Sequence, residues 1–525
     1  MRILSIVLFL ACVATTSLWA DTYNVGIGNV PNRTINERLQ DIVIVNDWPS
    51  LASAVRDIGG AKRTLFIPAG TYTVSENLTI PANISLIILM GGAFEVSTGK
   101  TLTINGEITA PVDQIFSGSG TIVFGGEAKQ IYPDWWGVDG KADNVQINKA
   151  IATLRDGDIF AFGANRTYNI DKVLSVPTSN YLHVKGNNAT IKTTSNIGRK
   201  LIFGTRGKYV TIEDLNINGE IGNTRKYTGS IGLAPIGAHT TLKRCTVKDV
   251  GGTCIRLAGA YGYAEDCEAD GTHDNVNGRN LGKDGFRVSN EFCEIKRCVA
   301  RNAKRWPIEA RSHNDSIKPP LAGLPQPTND SWIKITDCRA EDRSMDIEVT
   351  NKVIIDNCYV EKSICCNGTR DLVIKNSDVG GIYKVDASPG EPAKAPGFNN
   401  GRLIIDNCTF RCSGYGSDGA IRHFKFVHIK DSRFISSETG TASRGMLSFD
   451  NVEFLLIENS HFDGRNPTLA KPNHMVPRQK FIFQRFNTSG KVTMVNCLIE
   501  GFSSALMGSG SFSGLKVSNC VVKKK

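Results

Sequence analysis

The sequence predicts an all-β solenoid, a stack of parallel β-coils. Two observations carry that expectation. A short strand–turn–strand pattern recurs through the C-terminal half at spacings of 19 to 40 residues, and that half has no helical periodicity. A third fits it: 52 glycines against 19 prolines, the composition of a chain with many tight turns.

The repeat is plainest in KVIIDNCYV (352–360) and RLIIDNCTF (402–410), which share the core IIDNC. The same template returns as TLKRCTV (241–247), EIKRCVA (294–300), IKITDCRA (333–340), VHIKDSRF (427–434) and LKVSNCVV (515–522). It reads as an alternating apolar strand, then mostly Asp, Asn or Arg, then Cys or Ser, then a second short strand. The Cys/Ser position is filled by Cys245, Cys267, Cys298, Cys338, Cys358, Ser377, Cys408, Ser432, Ser460, Cys497 and Cys520. Coils stacked at about 4.8 Å share one interior and absorb length differences in their loops.

Eight of the 14 cysteines occupy that one position, where they exchange with serine. Disulfide partners do not interchange with serine so freely, and parallel side chains on neighbouring coils point alike, against the dihedral a disulfide needs. The expectation is a structural column of small thiols at an inward turn, with the preceding Asp/Asn side chains forming a hydrogen-bonded ladder. Cys254, Cys293, Cys365, Cys366 and Cys412 lie outside the column, and vicinal Cys365-Cys366 read as ordinary strand residues.

The N-terminal half follows a similar plan. A short helix is expected over Asp47–Val55, then strand and turn over Thr64–Val74; the order returns with a helix over Asn144–Leu154 and strands to Ile170. Residues 21–130 read as a preceding β-coil segment, with a separate globular domain as the alternative, and 131–525 as the main coil stack.

Residues 1–20 read as a signal peptide: Arg2, an apolar run Ile3–Val13 too short to cross a bilayer, and a small residue, Ala20, before the expected cut. The chain is therefore expected to be secreted, periplasmic or at the cell surface, and not membrane-spanning. Its formal net charge is +10, yet the only basic run is Lys523-Lys524-Lys525. Spread basicity fits an acidic partner such as an acidic polysaccharide, and equally plain solubility, and charge alone does not choose between them; no nucleic-acid partner is expected. No CxxC, HExxH, GxSxG or phosphate-cradling glycine loop occurs, which argues against a protein-built zinc site and the familiar serine hydrolases.

The repeat resembles the right-handed, single-stranded parallel β-helix of the pectate-lyase superfamily, whose members include polysaccharide lyases, glycoside hydrolases and tailspikes. The stretch Trp135-Trp136-Gly137-Val138-Asp139-Gly140-Lys141-Ala142-Asp143-Asn144 resembles that superfamily's opening segment, which precedes a short capping helix; here it is shorter and has one acid fewer. The resemblance implies the fold, short N-terminal capping helices, and a glycan groove along one outward strand face and its loops.

That face can be located by aligning the strand before each repeat. If Ile255, Phe286, Ile308 and Ile347 point inward, Arg256, Arg287, Glu309, Glu348 and Asn367 form one outward column, with Asp346 and Arg311 beside it. Glu309 and Glu348 would then sit on the order of 5 Å apart, as in retaining glycoside hydrolysis, while a wider pair using Asp284 would suit inversion. Arg256, Arg287 and Arg311 are candidates to grip a uronate carboxylate. For β-elimination, Asp346 and Glu348 are candidate Ca²⁺ ligands, and Ca²⁺ is the one cofactor considered. His313 lies in the long segment after Arg311; His273 and Asp274 are a second candidate acid–base pair. The expected function is cleavage or modification of an acidic polysaccharide by hydrolysis or β-elimination. The alternative is a non-catalytic glycan-binding or structural β-helix. The C-terminal coil is a possible site of oligomer formation.

Overall fold

The structure, a computed structural model, describes residues 41–523 apart from 196, 198–199, 221–229, 272–283, 312–330, 388–400, 413–419, 437–446, 451, 465–481, 486–490 and 501–514. The signal-peptide region, His273, Asp274 and His313 fall outside the described residues. Two compact units divide the chain: one of 1–139 with 145–159, the other of 140–144 with 160–525.

The first unit is built from coils. Three parallel sheets run through it, one joining Arg63–Ile67, Ile84–Ile88 and Ile108–Thr109, a second Gly70–Val74, Gly92–Val96 and Phe116–Gly118, a third Leu78–Ile80, Thr101–Ile104 and Thr121–Phe124. Its helix is Leu51–Ile58, starting later than expected because Ser50 is the N-cap: its Oγ accepts from the Ser53 amide at 3.1 Å while the Ser53 Oγ accepts from the Ser50 amide at 3.0 Å. Leu51, Ala54, Val55 and Ile58 form the buried stripe.

In the second unit the coils run through three parallel faces, mostly as short strands, with Met345–Asp356 and Tyr359–Lys375 continuing unbroken from one face to the next. The second face shows the logic best. From Val184 through Ile212, Leu242, Ala264, Ile295 and Ile335 to Ile355, register partners on successive coils are apolar and fully buried. The residues between them point out, so the period-two pattern becomes an unbroken apolar spine. On the third face Phe410, Phe434 and Phe462 stack inside the coil, with ring centroids 4.9 and 5.0 Å apart. Asp143, from the Trp135–Asn144 stretch, is fully buried and staples the start of this unit: its carboxylate accepts from the amides of Gly140 at 2.9 Å and Asn169 at 2.7 Å.

The turn between the second and third faces explains the repeat. The residue before each Cys or Ser is left-handed, from Arg244 (φ 51) through Asn357 and Asn407 to Asn519 (φ 51), and so is Asp214 (φ 54) before Leu215 at the equivalent place. Asn and Asp tolerate that conformation best. They also bond along the stack: Asn357 Nδ2 donates to Asp337 at 2.7 Å, Asn376 to Asp356 at 2.9 Å and Asn407 to Asn376 at 2.9 Å. Arg244, unusual for this conformation, makes two contacts to the Asp214 carboxylate of the previous coil, at 2.7 and 2.9 Å.

Cys and Ser then do one job. Cys358 Sγ donates to the Asp356 carbonyl at 3.3 Å, and Ser377 Oγ to the Lys375 carbonyl at 2.7 Å. The Ser oxygens also accept from the coil before: Cys358 N donates to Ser377 Oγ, and Cys408 N to Ser432 Oγ, both at 3.1 Å. All the described cysteines whose side chains are placed are free thiols, and all but Cys520 are buried. Burial pushes the Cys408 thiol up to about 11.

A second ladder was not anticipated. At the turn between the first and second faces, Tyr181, Tyr209, His239, Tyr261 and Phe292 are all left-handed. Their rings stack face to face at 4.5 to 5.0 Å. Mutual stacking offsets the strain of bulky residues at positive φ.

Candidate functional site

The candidate site lies on the first face, on strands β1 (Thr253–Leu257), β2 (Asp284–Val288), β3 (Trp306–Arg311), β4 (Met345–Asp356), β5 (Tyr359–Lys375) and β6 (Asp378–Asp386). Ile255, Phe286, Ile308 and Ile347 are buried as expected. Gly285 is forced by packing: a Cβ there would lie 2.5 Å from the Pro307 carbonyl oxygen on the next coil.

The register corrects the expected column. Arg256 pairs with Arg287 and Arg287 with Glu309, but Glu309 then pairs with Asp346, not Glu348. Glu348 pairs instead with Arg311 below and Asn367 above. Ala310 sits under Ile347, so β3 and β4 are offset by two residues from the expected alignment. A two-residue slip keeps every side chain on its own face, so hydrophobic alternation could not reveal it. Two columns result: Arg256–Arg287–Glu309–Asp346–Cys365, and beside it Arg311–Glu348–Asn367–Asp386–Arg422.

Arginines surround the acids. Arg287 Nε lies 3.0 Å from Glu309 Oε2. Arg305, absent from the sequence reading, bridges two carboxylates: its Nε lies 3.0 Å from Asp284 Oδ1 and an Nη 2.9 Å from Glu309 Oε1. The Thr253 hydroxyl donates to Asp284 Oδ2 at 3.2 Å. Arg311 is ion-paired with Glu348 and lies 3.9 Å from Glu309. Arg256 donates to the Ser289 hydroxyl at 3.2 Å. Asp284 and Glu309 are fully buried, Asp346 is 1% exposed, and Glu348 and Asn367 are half-buried.

Asp346 differs from its neighbours. Its Oδ2 is buried without a hydrogen-bond partner. Burial, with Glu309 alongside, raises its carboxyl to about 7 against the opposing pull of Arg305, the Cys365 thiol and Arg311. Asp284, Glu309, Asp346 and Glu348 thus share this face with the guanidiniums of Arg287, Arg305 and Arg311.

Oxygens of Glu309, Asp346 and Glu348 lie within 4.8 Å of one another, a donor set of the kind Ca²⁺ takes. The fit is poor on charge: Glu309 and Glu348 are already matched by arginines. The sequence reading also missed a pair further along, His423 Nδ1 at 2.8 Å from Asp386 Oδ1. Its signal was the register position of Arg422, next in the chain.

No family model and no curated protein matches the chain. Solved structures match it distantly. An endo-xylogalacturonan hydrolase from Aspergillus tubingensis is 10% identical, with a TM-score of 0.30 over 75% of this chain and 93% of that one. PfbA, a surface adhesin of Streptococcus pneumoniae, is 14% identical, with a TM-score of 0.32 over 75% and 92%. Pectate lyase Pel9A is 12% identical, with a TM-score of 0.25 over 75% and 79%. The fold rests on the chain's own coils, with three parallel faces in register and a polar turn ladder. The chain is a parallel β-helix. Within this β-helix the acids and arginines of β2 to β5 share one face, and among the described residues no helix is long and apolar enough to cross a membrane.

Proposed function

We propose that this β-helix is an exported enzyme that cleaves an acidic polysaccharide laid along its first face. The observation that carries the reading is the pairing of two buried carboxyls in different surroundings on successive coils. Asp346 holds a proton up to about pH 7, and its register partner Glu309 is ion-paired with Arg287 and Arg305. Carboxyls held apart in this way divide acid and base roles between them. In hydrolysis Asp346 gives its proton to the glycosidic oxygen as the C–O bond breaks, and Glu309 attacks the sugar carbon or takes a proton from the incoming water. Arg256, in register with Arg287 at the head of the acid-bearing column, is a cation to meet a uronate. Arg311 is the next, once it exchanges Glu348 for the substrate. The apolar leader at 1–20 would deliver the chain to the periplasm, the cell surface or the medium.

A second reading, a non-catalytic glycan-binding β-helix, has one observation in its favour. Asp284 and Glu309 are fully buried and closed into ion pairs, as a structural network would be. A panel of acidic glycans separates the two. New reducing ends without ultraviolet absorbance mean hydrolysis, and both signals together mean β-elimination. Binding with neither signal would overturn the enzyme reading.

A further inference from the structure

The third face carries a cluster that the site above does not use. His461 and Asp463 stand two apart on one strand, His461–Asp463, so they share its outer side, and Glu500 on the next coil is the register partner of Asp463. One ligand atom from each lies within 4.8 Å of the others. Both carboxylates are 5% exposed, an unusual burial for outward acids on a strand.

We propose that His461, Asp463 and Glu500 form a binding site for a divalent transition-metal ion of the zinc class. His461 Nε2 is itself shut off from solvent and has no hydrogen-bond partner. It lies 3.6 Å from Glu500 Oε2. That is too long for a hydrogen bond. It matches two ligands of one ion, since atoms each about 2.1 Å from a metal stand roughly 3 to 4 Å apart. One imidazole nitrogen with two carboxylates is a borderline donor set that suits Zn²⁺ better than Ca²⁺.

Two basic groups border the cluster. Lys523 Nζ lies 2.9 Å from Glu500 Oε1, and an Arg433 nitrogen 3.7 Å from Asp463 Oδ2. The Lys523 side chain is 64% exposed, so it can swing into water when an ion takes the Glu500 oxygen. It acts as a tethered competitor and sets the affinity.

The test is metal binding by the full chain after chelator treatment. Zn²⁺ titration is expected to show a site that His461→Ala weakens by more than about 10-fold and Lys523→Ala tightens. Glu309→Gln is expected to leave it unchanged. Co²⁺ in the same site should give weak visible bands without the intense near-ultraviolet absorption of thiolate ligation, separating this cluster from the cysteines. Equal Zn²⁺ affinity in the parent, His461→Ala and Lys523→Ala chains, or a thiolate band with Co²⁺, would overturn the assignment. So would the lack of any Zn²⁺ binding by the parent and Lys523→Ala chains.

Discussion

Glu309 and Asp346 are register partners on successive coils, and of the two Glu309 is the one held in ion pairs, by Arg287 and Arg305. Burial raises the Asp346 carboxyl to about 7, while two guanidiniums flank Glu309. Replacing either by its amide, Glu309→Gln or Asp346→Asn, is expected to cut turnover of an acidic glycan by roughly 10²- to 10⁴-fold. Melting curves should show both variants folded. Full activity in either folded variant would remove that residue from the chemistry.

Asp346 also sets a pH dependence of stability. Its folded value of about 7 lies above the unfolded value of about 3.9, so between those limits the folded chain holds a proton that the unfolded chain has lost. Stability from this group is therefore present below about pH 4 and is lost progressively as pH rises to about 7. A gap of about three units corresponds to about 4 kcal/mol at most. Denaturant melts at pH 5 and pH 8 should show this fall in the parent chain. In Asp346→Asn the fall should be smaller by that contribution. The same proton gives activity an alkaline limb near pH 7.

Arg305 ties Asp284 and Glu309 together, and its loss would leave both buried acids short of a cation. Arg305→Met is expected to destabilise the chain by about 3 to 5 kcal/mol. No loss would show that Arg305 only fills space.

At the repeated turn, Cys358→Ser is expected to cost under about 1 kcal/mol, because Ser377 already makes the equivalent bond on the next coil. Cys358→Val, with no donor for the Asp356 carbonyl, should cost about 1 to 3 kcal/mol. Thermal melts of the two variants make the comparison.

Much of the fold could be read from the chain because a coil repeats its own errors and corrections. IIDNC at two places fixed the strand, the left-handed Asn and the small donor at once, and the interchange of Cys with Ser marked the thiols as structural. The register between β3 and β4 could not be read, since Ile308 satisfies the interior equally under Met345 or Ile347. Arg305 escaped notice because it stands just before its strand, where no alternation applies. The ladder from Tyr181 to Phe292 was hidden for another reason. Aromatic residues are poor left-handed formers individually, and only stacking makes the position favourable.

The row of unpaired sulfurs at Cys338, Cys358 and Cys408 has a consequence for how the chain must be made. Once coiled, those atoms are sealed and hydrogen-bonded, so an oxidant has no route to them. Before coiling, each is an open thiol within reach of many others, and any pair that joins locks strands out of register. In an oxidising compartment the hazard therefore lies in delay. Each coil that closes retires its own sulfur, and the race between coiling and oxidation decides the yield of folded chains.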